Sequence, residues 1–156
     1  MKIASVMTQF LAIACLAVSP SARASGPQTF GAQCSMCHQP SGAGLPGSFP
    51  RLAGRTPVMA GSPEGRRYLA MVLLYGLYGP ISVDGKQISG LMPTMGSLSD
   101  QAIAEVLNHT LTLARPAHKV APFTAAEIAA VRAEPRKGGS DVAAERARLA
   151  GRGLIP

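Results

Sequence analysis

Two cysteines and a histidine lie within five residues of one another, in the segment Cys34-Ser35-Met36-Cys37-His38. This C-x-x-C-H spacing is typical of covalent haem attachment. One helical turn brings both sulfurs to the two vinyl positions along one porphyrin edge, and the adjacent histidine can then donate an imidazole nitrogen to the iron. We therefore predict one covalently attached haem c, held by Cys34 and Cys37, with His38 as an iron ligand.

Three other interpretations of the Cys34–His38 motif have less support from the sequence. A structural zinc site needs two further well-spaced ligands, and the remaining cysteine, Cys15, lies in the N-terminal apolar segment. A thioredoxin-like dithiol needs a strand–helix setting with βαβ character, which the flanking sequence lacks. A disulfide that closes so short a loop adds little stability. The chain also has only 4% aromatic residues and no Trp, so a haem would supply apolar bulk that its core needs.

A sixth iron ligand is expected from the segment Gly90-Leu91-Met92-Pro93-Thr94-Met95-Gly96. A methionine on a loop can offer its thioether to the iron, and thioether ligation favours ferrous iron. Pro93 stiffens the backbone beside Met92. Met92 is the preferred ligand, and Met95 is the alternative.

The other methionines and histidines have simpler interpretations. Met71 lies in an apolar helical run and Met59 precedes it, so both are expected to fill the core. Met36 is too constrained between the cysteines to reach the far side of a haem. His109 falls within a predicted helix, where a surface or capping role is more common, and His118 lies in the tail.

The elements that position these residues are predicted to be short helices joined by loops. One apolar helical face is predicted after Arg66, and Ser99 is a candidate N-cap. Helices are predicted over 26–33, over 66–77, and from Ser99 to about Pro116. Loops are predicted over 39–63 and over 81–95, the second with a turn at Asp84-Gly85.

The tail after Pro116 predicts two more short helices. Thr124-Ala125-Ala126-Glu127 has the form of a capping box, which predicts a helix to about Arg132. A second helix is predicted over 140–149. We expect this pair to pack around the main domain, and a docking arm for a partner subunit is the alternative.

The N-terminus predicts export. Lys2 precedes a mostly apolar stretch over 3–18, and Ala22-Arg23-Ala24 gives a small-x-small cleavage pattern. The stretch is too short and too broken for a comfortable membrane span, and lipidation of Cys15 is a weaker alternative. Residues 1–24 are therefore predicted to be a signal peptide, which would leave a periplasmic chain with no transmembrane segment.

The charge of the chain limits its partners. The formal net charge is +7; residues 1–24 contain two of the fifteen basic residues and no acids, so thirteen basic and eight acidic residues would remain, a net charge of +5. The basic residues form no dense block and are not interleaved with aromatics, so nucleic acid is not a predicted partner. Redox proteins with acidic surfaces are the expected partners.

The residues above resemble those of class I, mono-haem bacterial cytochromes c with His/Met ligation. The resemblance covers about Gln28 to Thr112 and rests on CSMCHQPSGAGLPGSFPRLAGR, RYLAMVLLYGLYGPISVDG and GLMPTMGSLSDQAIAEVLNHTL. It implies that Cys34 and Cys37 bind the haem and that His38 and Met92 are the metal ligands.

The resemblance also implies roles for two residues of the first loop. The carbonyl of Pro50 would accept a hydrogen bond from the proximal histidine, and Leu52 would pack on the haem. The chain departs from the family where Met95 occupies a position that is usually aromatic. Asn108-His109-Thr110 likewise replaces an aromatic in the last helix of the domain.

Together these observations predict an all-α protein, with a small class I cytochrome c fold around one haem and a helical C-terminal extension. The predicted parts are a signal peptide over 1–24, a cytochrome c domain over 25–115 and the extension over 116–156. The predicted function is periplasmic one-electron transfer between a dehydrogenase or other donor and a terminal acceptor, without enzyme activity of its own. The alternatives are a fixed electron-transfer subunit of a periplasmic dehydrogenase, and a haem enzyme or sensor with an open iron site.

Overall fold

The computed structural model describes residues 24–115, 119–135 and 137–156. Residues 1–23 of the predicted signal peptide, Pro116 and His118 lie outside the described residues. The elements are α1 Gly26–Gln33, α2 Ser35–His38, α3 Arg55–Met59, α4 Pro63–Tyr75, β1 Leu77–Val83, β2 Lys86–Met92, α5 Asp100–Thr112, α6 Ala125–Arg132 and α7 Gly139–Gly151. Among the helices of these ranges, none is both long and apolar enough to cross a membrane.

Side-chain caps fix where three helices begin. The hydroxyls of Ser62, Ser99 and Thr124 each accept a hydrogen bond from the main-chain N–H three residues further along. Such caps satisfy a donor that has no partner within the helix. The caps at Ser99 and Thr124 confirm the predictions from sequence. Helix α4 starts at Pro63, earlier than the predicted 66, and gives way at Gly76, whose φ is 73°.

Helices α1 and α5 cross in close contact. A Cβ on Gly26 would lie 2.2 Å from the carbonyl oxygen of Glu105, so only glycine lets the two backbones approach this closely. One turn further along, the ring of Phe30 meets that of His109 edge-on, with the ring centroids 5.0 Å apart. Phe30 is only 2% exposed. The crossing builds one wall of the apolar interior.

Residues 77–92 form a β-hairpin where most of the segment was predicted to be a loop. Strand β1 pairs antiparallel with β2, with Leu77 opposite Met92. The turn is the predicted Asp84-Gly85 pair, with φ values of 50° and 73°, as in two-residue hairpin turns. The fold is therefore mainly helical with a small sheet, and the all-α prediction is incomplete.

The hairpin was not predicted because the local sequence is typical of a helix end and a loop. Gly79-Pro80 has the form of a helix stop followed by a loop, and proline and glycine are unfavourable in strands. Pro80 is tolerated because it lies in a two-stranded sheet, where every strand is an edge. Ile81 and Ile88 lie opposite each other and are both buried. This inward pair, whose members meet only once the turn has formed, stabilises the strands.

The C-terminal extension packs on α4 and β1 and shares their core. Its buried apolar side chains are Phe123, Ile128, Val131, Val142, Leu149 and Ile155. The Tyr75 hydroxyl of α4 donates a hydrogen bond to the carbonyl oxygen of Val131 at 3.0 Å. A Cβ on Gly139 would lie 2.9 Å from the main-chain nitrogen of Tyr78, so α7 begins directly against β1.

Two buried arginines attach the end of the extension to the hairpin. Arg146 donates to the main-chain oxygens of Ser82 and Pro156 at 2.8 and 2.9 Å. Arg55 donates to the Asp84 carboxylate and to the same Pro156 oxygen, both at 2.7 Å. Both guanidinium groups thus keep hydrogen-bond partners in the interior, as a buried charge requires.

Candidate functional site

Cys34, Cys37 and His38 lie on a single helical turn that directly follows α1. The N–H of Cys34 donates to the Phe30 carbonyl as α1 ends, and the N–H groups of Cys37 and His38 both donate to the Cys34 carbonyl. The turn brings both sulfurs to the same end of α1, and no disulfide joins them. Burial, and secondarily the neighbouring Cys37, raises the pKa of the Cys34 thiol.

The imidazole of His38 is buried and held by one hydrogen bond. The side chain is 7% exposed, and its Nδ1 lies 2.9 Å from the carbonyl oxygen of Pro50. If Nδ1 carries the proton, Nε2 is left with a free lone pair, the form in which imidazole binds a metal. Burial lowers the pKa of His38, and the bond to Pro50 partly offsets this, so burial favours the neutral ring.

A tight loop fixes the Pro50 carbonyl beside the histidine. The N–H of Gly44 donates to the His38 carbonyl at 3.0 Å, and that of Leu52 donates to the Gly42 carbonyl at 2.8 Å. Gly44 has a φ of 66°, and a Cβ there would lie 2.5 Å from the Phe49 carbonyl oxygen. The loop around His38 therefore depends on glycine at this position.

An apolar cavity opens beside these residues. Its lining includes four predicted site residues, Cys34, His38, Leu52 and Met92, together with the alternative ligand Met95. The remaining lining residues come chiefly from α1, α4 and α5: Phe30, Gln33, Thr56, Leu69, Val72, Leu73, Leu98, Val106, Leu107 and Thr110. Sequence reasoning missed most of these, although Phe30 lies one helical turn before Cys34 and hence on the same face of α1.

The methionine loop, residues 93–98, follows Met92 at the end of β2, contains Met95 and is anchored to the end of α4. The Thr94 hydroxyl donates to the Leu74 carbonyl, and the Met95 N–H donates to the Leu73 carbonyl, both at 2.7 Å. Carbonyls in the last turn of a helix lack partners within the helix, so the loop satisfies them. A Cβ on Gly96 would lie 2.7 Å from the Leu74 carbonyl oxygen, and glycine permits this contact.

Met92 and Met95 differ from the other described methionines in their position relative to the cavity. Met92 and Met95 both line the cavity, so the geometry brings both to the site. Met59 and Met71 are buried in the core, as predicted, and Met36 is 92% exposed. His109 packs edge-on against Phe30 and does not line the cavity.

The Cys34 thiol, the His38 imidazole and a thioether line one apolar cavity, and Cys37, which does not line it, lies on the same helical turn as Cys34. Two thiols, an imidazole and a thioether are the donor set of a haem c. The family model named Cytochrome c matches residues 24–114. The chain therefore belongs to the cytochrome c family, whose cofactor is covalently attached haem c and whose members transfer electrons.

Two relatives are particularly similar. A cytochrome c-552 of Thermus thermophilus is 44% identical over 131 residues, which cover 82% of this chain and 87% of that protein. A second cytochrome c-552 from Thermus thermophilus is 46% identical over 121 residues, which cover 76% of this chain and 92% of that protein. Both alignments are longer than the 91 residues of the family match, so the similarity extends beyond the family domain.

Proposed function

We propose that this protein is exported to the periplasm and carries single electrons between a dehydrogenase or other donor and a terminal acceptor. Cys34 and Cys37 would hold the haem, with His38 and Met92 as iron ligands. The proposal rests chiefly on one observation: His38 and Met92 line a single apolar cavity together with Cys34. A bound haem c supplies an iron that changes its charge by one unit, and the protein supplies everything that positions it.

The protein holds both ligand-bearing segments in fixed positions. His38 is oriented by Pro50, and the methionine loop is anchored to α4 through Thr94. Rigid ligands change little between two oxidation states, which keeps the reorganisation on electron transfer small. A Met92 thioether on the iron would also keep small molecules from binding there, which favours a carrier over an enzyme or a sensor.

The surface near the attachment turn suits brief contact with a protein partner. Met36 is 92% exposed, and Leu45 and Phe49 on the following loop are 48% and 39% exposed. Leu45 and Phe49 lie opposite each other in an isolated β-bridge, and neighbouring exposed apolar groups typically mark interaction sites. We expect this surface to face the redox partner, because it lies beside the cysteines that would hold the porphyrin edge.

The first test is a pair of methionine variants of the exported holoprotein. The native protein should show a c-type spectrum, haem that stays attached in acid–acetone, and the weak long-wavelength Met–iron band of the ferric state. Met92→Ala should abolish this band and open the iron to carbon monoxide, whereas the matched variant Met95→Ala should keep it. Retention of the band in Met92→Ala would show that Met92 is not the ligand, and a high-spin native spectrum would contradict the carrier role.

A further inference from the structure

The methionine loop is held on a second side by one arginine of the extension. Arg132, the last residue of α6, donates from Nη1 to the Gly96 carbonyl at 2.7 Å and from Nη2 to the Leu98 carbonyl at 2.9 Å. Its Nε donates to Oδ1 of Asp100 at 2.8 Å. A planar guanidinium is suited to acceptors that converge in this way. One side chain thus joins α6, the loop after Met95 and the start of α5.

The two sets of contacts lie on either side of the same short segment. Thr94 and Met95 are bonded to the end of α4, and Gly96 and Leu98 are bonded to Arg132. A segment held at only one side opens more readily, because fewer contacts must break for it to move. Met95 lies within this segment, and Met92 directly precedes it at the end of β2. The arginine therefore limits how far the segment next to Met92 can move, and how often a thioether can leave the site.

We infer that Arg132 is a positioning residue for the distal methionine: it holds the loop closed so that the thioether stays on the iron in the ferric state. This inference rests on the proposed His38/Met92 ligation. Thioether ligation favours ferrous iron, so the ferric protein is the state in which the bond most needs support. The extension then has a redox role as well as a packing role.

The test is the rate at which added imidazole replaces the methionine on the ferric iron of the holoprotein. Arg132→Gln should raise this rate about tenfold, which corresponds to about 1.4 kcal/mol of loop-opening free energy. Arg132→Lys, which keeps the charge but not the planar fork, should give an intermediate rate. The ferrous spectrum should be unchanged in both variants.

Arg66→Gln is the matched control. Arg66 on α4 donates to the Ala121 carbonyl and to Glu127, so it also attaches the extension, but its hydrogen bonds do not include the methionine loop. If the loop contact matters, Arg66→Gln should lower overall stability while leaving the imidazole rate within about twofold of the native value. Equal acceleration by both variants would assign the effect to general loosening and overturn the inference.

Hydrogen exchange at the Met95 amide, which is bonded to Leu73, gives a second readout. Arg132→Gln should accelerate this exchange, and unchanged exchange together with an unchanged imidazole rate would overturn the inference while leaving the proposed ligation intact. A native ferric protein without the Met–iron band would contradict the proposed ligation first and the positioning role with it.

Discussion

Replacing Gly26 with alanine should destabilise the protein, whereas the same change five residues later on the same helix should stabilise it. The added Cβ at Gly26 would lie 2.2 Å from the Glu105 carbonyl oxygen and 2.7 Å from its carbon. Ordinary contacts of this kind are about 3.4 Å or longer, so the helices must separate by about 1 Å. Overpacking of this sort costs about 1–3 kcal/mol.

The control is Gly31→Ala. A Cβ on Gly31 would meet no atom within 4 Å, and the residue lies within α1 with an ordinary helical φ. Replacing a helical glycine by alanine stabilises by about 0.5–1 kcal/mol. The two variants should therefore differ by about 1.5–4 kcal/mol in the free energy of unfolding.

Urea unfolding of the holoprotein measures this difference. With an m-value of about 1–3 kcal/mol/M, the Gly26→Ala midpoint should fall about 0.5 M or more below that of Gly31→Ala, with m unchanged. If the two variants unfold within about 0.3 M of each other, the close crossing of α1 and α5 does not limit the packing, and the reasoning fails.

Two further predictions concern the extension and the hairpin turn. Leu149→Ala removes a side chain of α7 that is 0% exposed. The substitution should lower the free energy of unfolding by about 2–5 kcal/mol and lower the melting temperature of the holoprotein. The control Ala147→Ser, at an exposed position of the same helix, should change the melting temperature little. Hydrogen bonds from Arg51, and the charge of Arg55, lower the pKa of Asp84. The ionised Asp84 carboxylate therefore adds to the free energy of unfolding above the ordinary aspartate pKa of about 3.9. This stabilisation is lost as the pH falls through the lower pKa of the folded state. Asp84→Asn should be less stable than the native protein at about pH 6, and this difference should shrink at about pH 2–3; a constant difference in unfolding free energy would rule out the linkage.

The parts of the structure that are specified locally could be predicted from the sequence. The capped starts at Ser99 and Thr124 depend on residues three positions apart, and the structure confirms both. The Cys34–His38 turn is equally local, because its hydrogen bonds all close within one turn. For the same reason the family and its cofactor could be inferred before any fold was known.

The features that escaped prediction depend on partners that are distant along the chain. The strands need Ile81 to meet Ile88 across a turn, and nothing in Gly79-Pro80 indicates a strand. In the sequence, Arg132 looks like an ordinary surface residue at the end of a helix until its acceptors, 34 and 36 residues earlier, are known. The choice between Met92 and Met95 stays a prediction, since both line the cavity.

The hydrogen bond from Arg55 to the main-chain oxygen of Pro156 makes the order in which the chain can fold depend on its far end. It joins positions 101 residues apart, and α7 supplies Val142 and Leu149, both completely buried, to the same core. A chain that emerges from its N-terminus presents the cysteines and the histidine long before these residues arrive. The apolar faces of α4 and β1 remain uncovered during that interval. Completion of the fold thus needs α7, and a chain truncated before Gly139 would expose these apolar faces and be prone to aggregation and proteolysis.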